Sequence, residues 1–128
     1  MCLDISKDST KLKRAVRKKK EKIIAYKILK SENKTLISSY LGTRWFTNKE
    51  MVSDRKGKDP TRITKKESEY QEIYYGLHFY ANLATALYFY YRPPYKIYMV
   101  EIDPKDIVAF GYNDQLVAHK AKIIKRVN

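Results

Sequence analysis

Residues 73–91, IYYGLHFYANLATALYFYY, decide how the rest of the chain is arranged. β-Branched and aromatic residues as far as Tyr80 read as a strand, with Leu77 and Phe79 on one parity and Tyr74, His78 and Tyr80 on the other. Asn82 is an N-cap residue type standing just before Leu83, Ala84, Ala86 and Leu87, which have helical composition. Arg92-Pro93-Pro94 ends the helix, because proline lacks the amide a helix needs and restricts the residue before it. The central unit is thus a strand, a tight corner and a helix, in which Leu77, Phe79, Leu83 and Leu87 organise the core. Tyr74, His78 and Tyr80 form the opposite row, which could stack on and hydrogen-bond a nucleotide. A histidine tied to a backbone carbonyl or a tyrosine is the commoner use of such a position.

Downstream, Lys96–Ile102 (KIYMVEI) alternates, with Tyr98, Val100 and Ile102 on one side. Asp103-Pro104-Lys105 turns the chain into a short strand, Asp106–Phe110, and Gly111–Asp114 supplies another turn. Gln115–Val127 then reads as one long strand with Val117, His119, Ala121 and Ile123 on one face and Lys120 and Lys122 on the other. Upstream, Ile23–Leu29 (IIAYKIL) is a strand interrupted only by Lys27, so both its faces should be covered. Thr35–Leu41, across a turn at 31–34, is its hairpin partner. Gly42–Lys66 is polar, punctuated by Gly57 and Pro60, and reads as a long loop with Trp45-Phe46 as its apolar anchor. Trp45 and Phe46 beside Arg44 offer a stacking platform for a base, unless Trp45 simply pins this loop to the body.

The order strand, strand, loop, strand, helix, strand, strand, strand specifies an α+β fold: a mostly antiparallel sheet with one principal helix packed on it. Residues 23–128 form this single domain. Residues 1–22 precede it as a basic arm or helix, in which Leu12, Ala15 and Val16 make a thin apolar stripe. Ser9 or Thr10 is its candidate cap, and fraying is expected unless a partner covers the stripe.

The 128 residues carry 27 Lys and Arg against 14 Asp and Glu, a net charge of +13, of which +8 lies in residues 1–34. Such a balance attracts nucleic acid, nucleotides or an acidic protein. Lys11, Lys13, Arg14, Arg17, Lys18, Lys19 and Lys20 are the candidate phosphate contacts. Arg44, Trp45, Tyr74, His78 and Tyr80 are the candidates for specificity. No apolar run is long enough for a membrane span and no signal-peptide pattern is present, so a cytoplasmic location without a membrane partner is expected. The single cysteine, Cys2, excludes an internal disulfide.

Catalytic constellations are missing. Gly42, Gly57, Gly76 and Gly111 lie too far apart for a phosphate-cradling loop. One cysteine and two histidines, His78 and His119, match no zinc spacing, and Cys2 has no framework to hold it against a base. No catalytic residue, metal or cofactor is expected, and binding takes precedence over chemistry.

Several segments carry a resemblance: the Met1-Cys2-Leu3 start, YKIL at 26–29, GLHFY at 76–80 before a helix containing Ala84 and Ala86, VEIDPKDIVAF at 100–110, and VAHKAKIIK at 117–125. Together they resemble a set of small bacteriophage and prophage proteins. The resemblance implies a mobile-element origin and a role in host takeover or defence evasion, an anti-CRISPR being one form, exercised by binding a nucleic acid, a ribonucleoprotein or a nucleotide-derived signal. GLHF at 76–79 is also similar to the strand that leads into a helix in ADP-ribosyltransferase-type folds. That second likeness implies a transferase with Glu101 as its acid, although IIAYKIL offers no His or Arg to grip the dinucleotide.

Overall fold

The computed structural model describes residues 3–38, 44–47, 49–52, 72–73, 77–89 and 93–127. In chain order the elements are β1 (Leu3–Asp4), α1 (Ser9–Lys19), β2 (Ile23–Glu32), β3 (Thr35–Ser38), β4 (Arg44–Trp45), β5 (Met51–Val52), β6 (Glu72–Ile73), β7 (Leu77–Tyr80), α2 (Leu83–Phe89), β8 (Tyr95–Ile102), a 3₁₀ turn (Pro104–Asp106), β9 (Ile107–Phe110), β10 (Gln115–Ala118) and β11 (Lys120–Arg126). The architecture is α+β, with a large, mostly antiparallel sheet. β1 and β6 form a separate two-stranded ribbon.

β2 is the strand the sheet is built on. β8 runs along one edge of it from Ile23 opposite Ile102 to Lys30 opposite Tyr95. The other edge forks: Tyr26 pairs with Tyr80 of β7, whereas Leu29–Glu32 pair with β3. The β2–β3 hairpin closes through Asn33 and Lys34, both at positive φ, the two-residue geometry whose twist matches the flanking strands. β3 in turn pairs with β4. The segment expected to be a loop from Gly42 therefore contributes two short strands, because β4 extends the hairpin and β5 pairs with β11.

Gln115–Val127 is not one strand. It breaks at His119, whose amide donates to the Asp106 carbonyl at 2.8 Å. β10 pairs with β7 and β9, whereas β11 pairs with β8 and β5. Along the order β11-β8-β2-β7-β10, the first and last strands would lie about 19 Å apart in a flat sheet. A single intervening residue spans only about 7 Å. The sheet therefore curls until β10 and β11, each one strand in from an edge, come close together. The break also switches parity, so Leu116 and Ala118 share a core with Ala121 and Ile123, while Val117 faces a different cluster.

The interior of the curl is the main core: Ala25, Leu29, Leu77, Phe79, Val100 and Ile102 are all buried there with Leu116, Ala118, Ala121 and Ile123. Tyr98, Val100 and Ile102 lie on one side of β8, as their alternation requires. On the outer face α2 packs Ala86, with Leu83 and Phe89 beside it, against Tyr80, Ile97, Tyr26 and Ile28. Asn82 caps α2, its Oδ1 accepting the Thr85 amide at 2.8 Å. Leu87, expected in the core, is 48% exposed, because Ala86 and Phe89 hold the inward side of this short helix.

Candidate nucleic-acid interface

The sequence of α1, STKLKRAVRKK, contains no acidic residue. A helix this basic and this poor in apolar residues needs tertiary anchors to persist in water, and it has several along β9. The Ser9 hydroxyl accepts the Phe110 amide at 2.8 Å, so Ser9 is a buried tie and not the cap expected of it. Asp8 occupies the N-cap position without a side-chain capping bond. At the other end of the helix, Arg17 Nη2 donates to the Ile107 carbonyl at 3.2 Å. Val16 packs against the main core, and just upstream Ile5 is buried with Val108, Ala109 and Val117. The basic segment is thus a docked helix, where sequence alone suggested fraying.

Docking divides the candidate phosphate contacts. Arg17 spends one guanidinium nitrogen on the helix anchor, and Lys13 is half-buried. Lys11, Arg14, Lys18, Lys19 and Lys20 are exposed. Among the described residues no carboxylate pairs with these five; the ion pairs lie at Lys22 and Lys30. The result is a row of cations, unpaired among the described residues, on a helix fixed at both ends.

The candidates for specificity are placed differently. Arg44 is exposed on β4, but Trp45 is only 3% exposed and meets Phe79 edge to face at 5.8 Å. Trp45 pins its segment and offers no free ring face to a base. His78 is buried at 7% exposure, and Tyr80 is buried in a stack with Phe89 at 5.4 Å. The alternation that set His78 and Tyr80 opposite Leu77 and Phe79 is correct. α2 covers Tyr80 by folding back onto the strand preceding it to bury its own apolar side. Tyr74 lies outside the described residues. The expected polar-aromatic recognition face is therefore internal at His78 and Tyr80.

Lys27 is the residue that sequence reasoning passed over. It shares parity with Ala25 and Leu29, which directs it to the core side of β2 at the place where β3 and β7 diverge. The residue as a whole is half-buried, but its ammonium is enclosed. Nζ donates to the His78 carbonyl at 2.8 Å and lies 5.6 Å from the Trp45 ring and 5.8 Å from the Phe79 ring. Burial lowers its pKa to about 8. The signal was present in IIAYKIL as a lone cation at a core parity.

Glu101 lies on β8 with its carboxylate partly exposed and 4.0 Å from Lys22 Nζ. Among the described residues no group of three or more His, Cys, Asp or Glu is placed to hold a metal ion, and no helix is long and apolar enough to cross a membrane. Comparison with protein families, curated proteins and solved structures gave no match, so the interface stands on its own geometry.

Proposed function

We propose that this protein is a non-enzymatic accessory factor that binds nucleic acid through the outward side of α1. The observation that carries this reading is the row Lys11, Arg14, Lys18, Lys19 and Lys20, exposed and without carboxylate partners among the described residues, on a helix tied to β9 at both ends. A fixed row of cations loses less side-chain and backbone freedom on binding a phosphate chain than a disordered tail would. Its energy is mainly counterion release, so it recognises the backbone of a nucleic acid and not its sequence. In a protein of bacteriophage type, such binding would serve interference with a nucleic-acid-guided host process, which forms the second part of the proposal.

The test is a fluorescence-anisotropy titration of a labelled duplex and a single strand. With five phosphate contacts, affinity for the duplex should fall by roughly a hundredfold or more between about 50 and 200 mM salt. Replacing Lys11, Arg14, Lys18, Lys19 and Lys20 by Gln should abolish binding at the lower salt while circular dichroism stays unchanged. Binding that ignores salt, or that survives the five substitutions, would overturn the reading.

A further inference from the structure

We propose that the depression between α2 and the β9–β10 turn is a base-binding site for single-stranded nucleic acid, an inference that rests on α1 being the phosphate-binding element. The depression has a volume of about 370 Å³ and is lined by Ala84, Thr85, Tyr88, Phe89, Asn113 and Asp114. Tyr88 is 80% exposed, and Phe89 braces it edge-on at 5.0 Å, so the ring is held while its surface remains open. An open, braced aromatic ring beside a depression is the platform on which unpaired bases stack.

Asp114 supplies the polar half of the site. Its Oδ2 accepts from Asn82 Nδ2 at 2.8 Å and from Thr85 Oγ1 at 3.0 Å. Those two bonds orient the carboxylate, and Oδ1 takes part in no hydrogen bond among the described residues. A carboxylate repels a phosphate and accepts from N–H groups, so it selects the base end of a nucleotide. Exocyclic amino groups, as on cytosine and adenine, suit it. The single N–H of thymine is flanked by two carbonyl oxygens that a carboxylate repels.

The site and α1 are joined by short covalent and hydrogen-bonded links. Asn113 follows Phe110 by three residues, at most about 10 Å of chain. The Phe110 amide is bonded to Ser9 at the start of α1, and Lys11 lies two residues further on. A strand whose base occupies the depression therefore has its sugar-phosphate backbone directed away from Asp114 and toward the first cations of the helix. Positive helix and negative pocket divide the nucleotide between them.

The experiment uses the full chain and labelled oligo(dC), oligo(dT) and an abasic oligomer, each of about 12 nucleotides, within the usual range of single-strand site sizes. The wild type should bind oligo(dC) about tenfold more tightly than the abasic strand, and Tyr88→Ala should remove that advantage. Oligo(dC) should also bind several-fold more tightly than oligo(dT), and Asp114→Asn, which tolerates the positive φ of this position, should narrow the gap. Thermal denaturation of both variants is expected to match the wild type within a few degrees. Equal binding of oligo(dC) and the abasic strand by the wild type, with α1 still required, overturns the base site and leaves the helix reading standing. Absence of binding to any of the three overturns both.

Discussion

The Lys27 ammonium donates to the backbone carbonyl of His78 at 2.8 Å, joining β2 to β7 by a side chain where their backbone pairing has ended at Tyr26 and Tyr80. The two strands separate here because β3 takes over the same edge of β2 from Leu29 onward. A fork in a sheet leaves backbone groups without ladder partners, and a buried carbonyl needs a donor. Lys27 provides one, at the cost of holding an ammonium beside the Trp45 and Phe79 rings.

That cost makes stability depend on pH in an unusual direction. Burial lowers the Lys27 pKa from 10.5 to about 8. Between those values the unfolded chain binds more protons than the folded one, so this residue makes stability rise with pH across the window and contributes a constant penalty below it. The full effect is about 3 kcal/mol at most. Lys27→Met should flatten the slope of unfolding free energy between about pH 8 and 10.5 relative to wild type. Its stability at pH 7 should change little, since relief of the penalty is offset by the carbonyl left without a donor. Urea denaturation of the two proteins at several pH values checks this, and parallel slopes would refute it.

Trp45 separates anchoring from recognition. Its ring is buried against Phe79, so Trp45→Ala should cost about 3–5 kcal/mol of stability through the cavity it leaves. Nucleic-acid affinity, measured at a temperature where the variant is still folded, should stay within about twofold of wild type, as expected for a residue outside the contact surface. A large loss of affinity in a folded Trp45→Ala protein would show that the ring takes part in binding.

Anchoring of α1 can be tested at Ser9. Ser9→Ala leaves the Phe110 amide without its acceptor and should cost about 1–2 kcal/mol. Hydrogen exchange at Phe110 reports on this directly, with protection falling by roughly tenfold or more if that bond secures the helix. Nucleic-acid affinity should fall at the same time, since the cations are then presented by a looser helix. Unchanged protection at Phe110 would mean that Val16 and Arg17 suffice.

Alternation and turn chemistry made most of the strands legible: β2, β8 and the hairpin turn before β3 follow from period-two patterning and from Asn33-Lys34. The curl of the sheet was not legible, because it depends on a parity switch at His119 that neither composition nor periodicity marks. The candidate site was readable in part. Clustering of Lys and Arg identified α1, but whether an aromatic residue is open or covered depends on which helix lies over it. Tyr80 and Tyr88 belong to the same aromatic run, and α2 covers the first while presenting the second to solvent. Two long-range features, the docking of α1 on β9 and the fork at Lys27, arise from contacts 51–101 residues apart in sequence.

Asn82 joins two functions whose separation gives the last test. Its Oδ1 caps α2 through the Thr85 amide, and its Nδ2 donates to Asp114 in the turn that borders the proposed base site. Asn82→Ala removes both bonds and should cost about 1 kcal/mol at every pH. Asn82→Asp keeps an acceptor for the Thr85 amide but sets a second carboxylate against Asp114. Like charges in hydrogen-bond range destabilise each other until one takes up a proton. The Asn82→Asp protein should therefore be less stable than wild type at pH 7 and recover as pH falls through the ordinary carboxylate range. Because Asn82 and Asp114 are exposed, added salt should also shrink the difference. Thermal melts of the two variants between about pH 3.5 and 7, a range spanning the carboxylate pKa values, distinguish the roles. A pH-independent deficit in Asn82→Asp would show that Asp114 swings away from residue 82 and that the carboxylate of the proposed base site is not held in place by this contact.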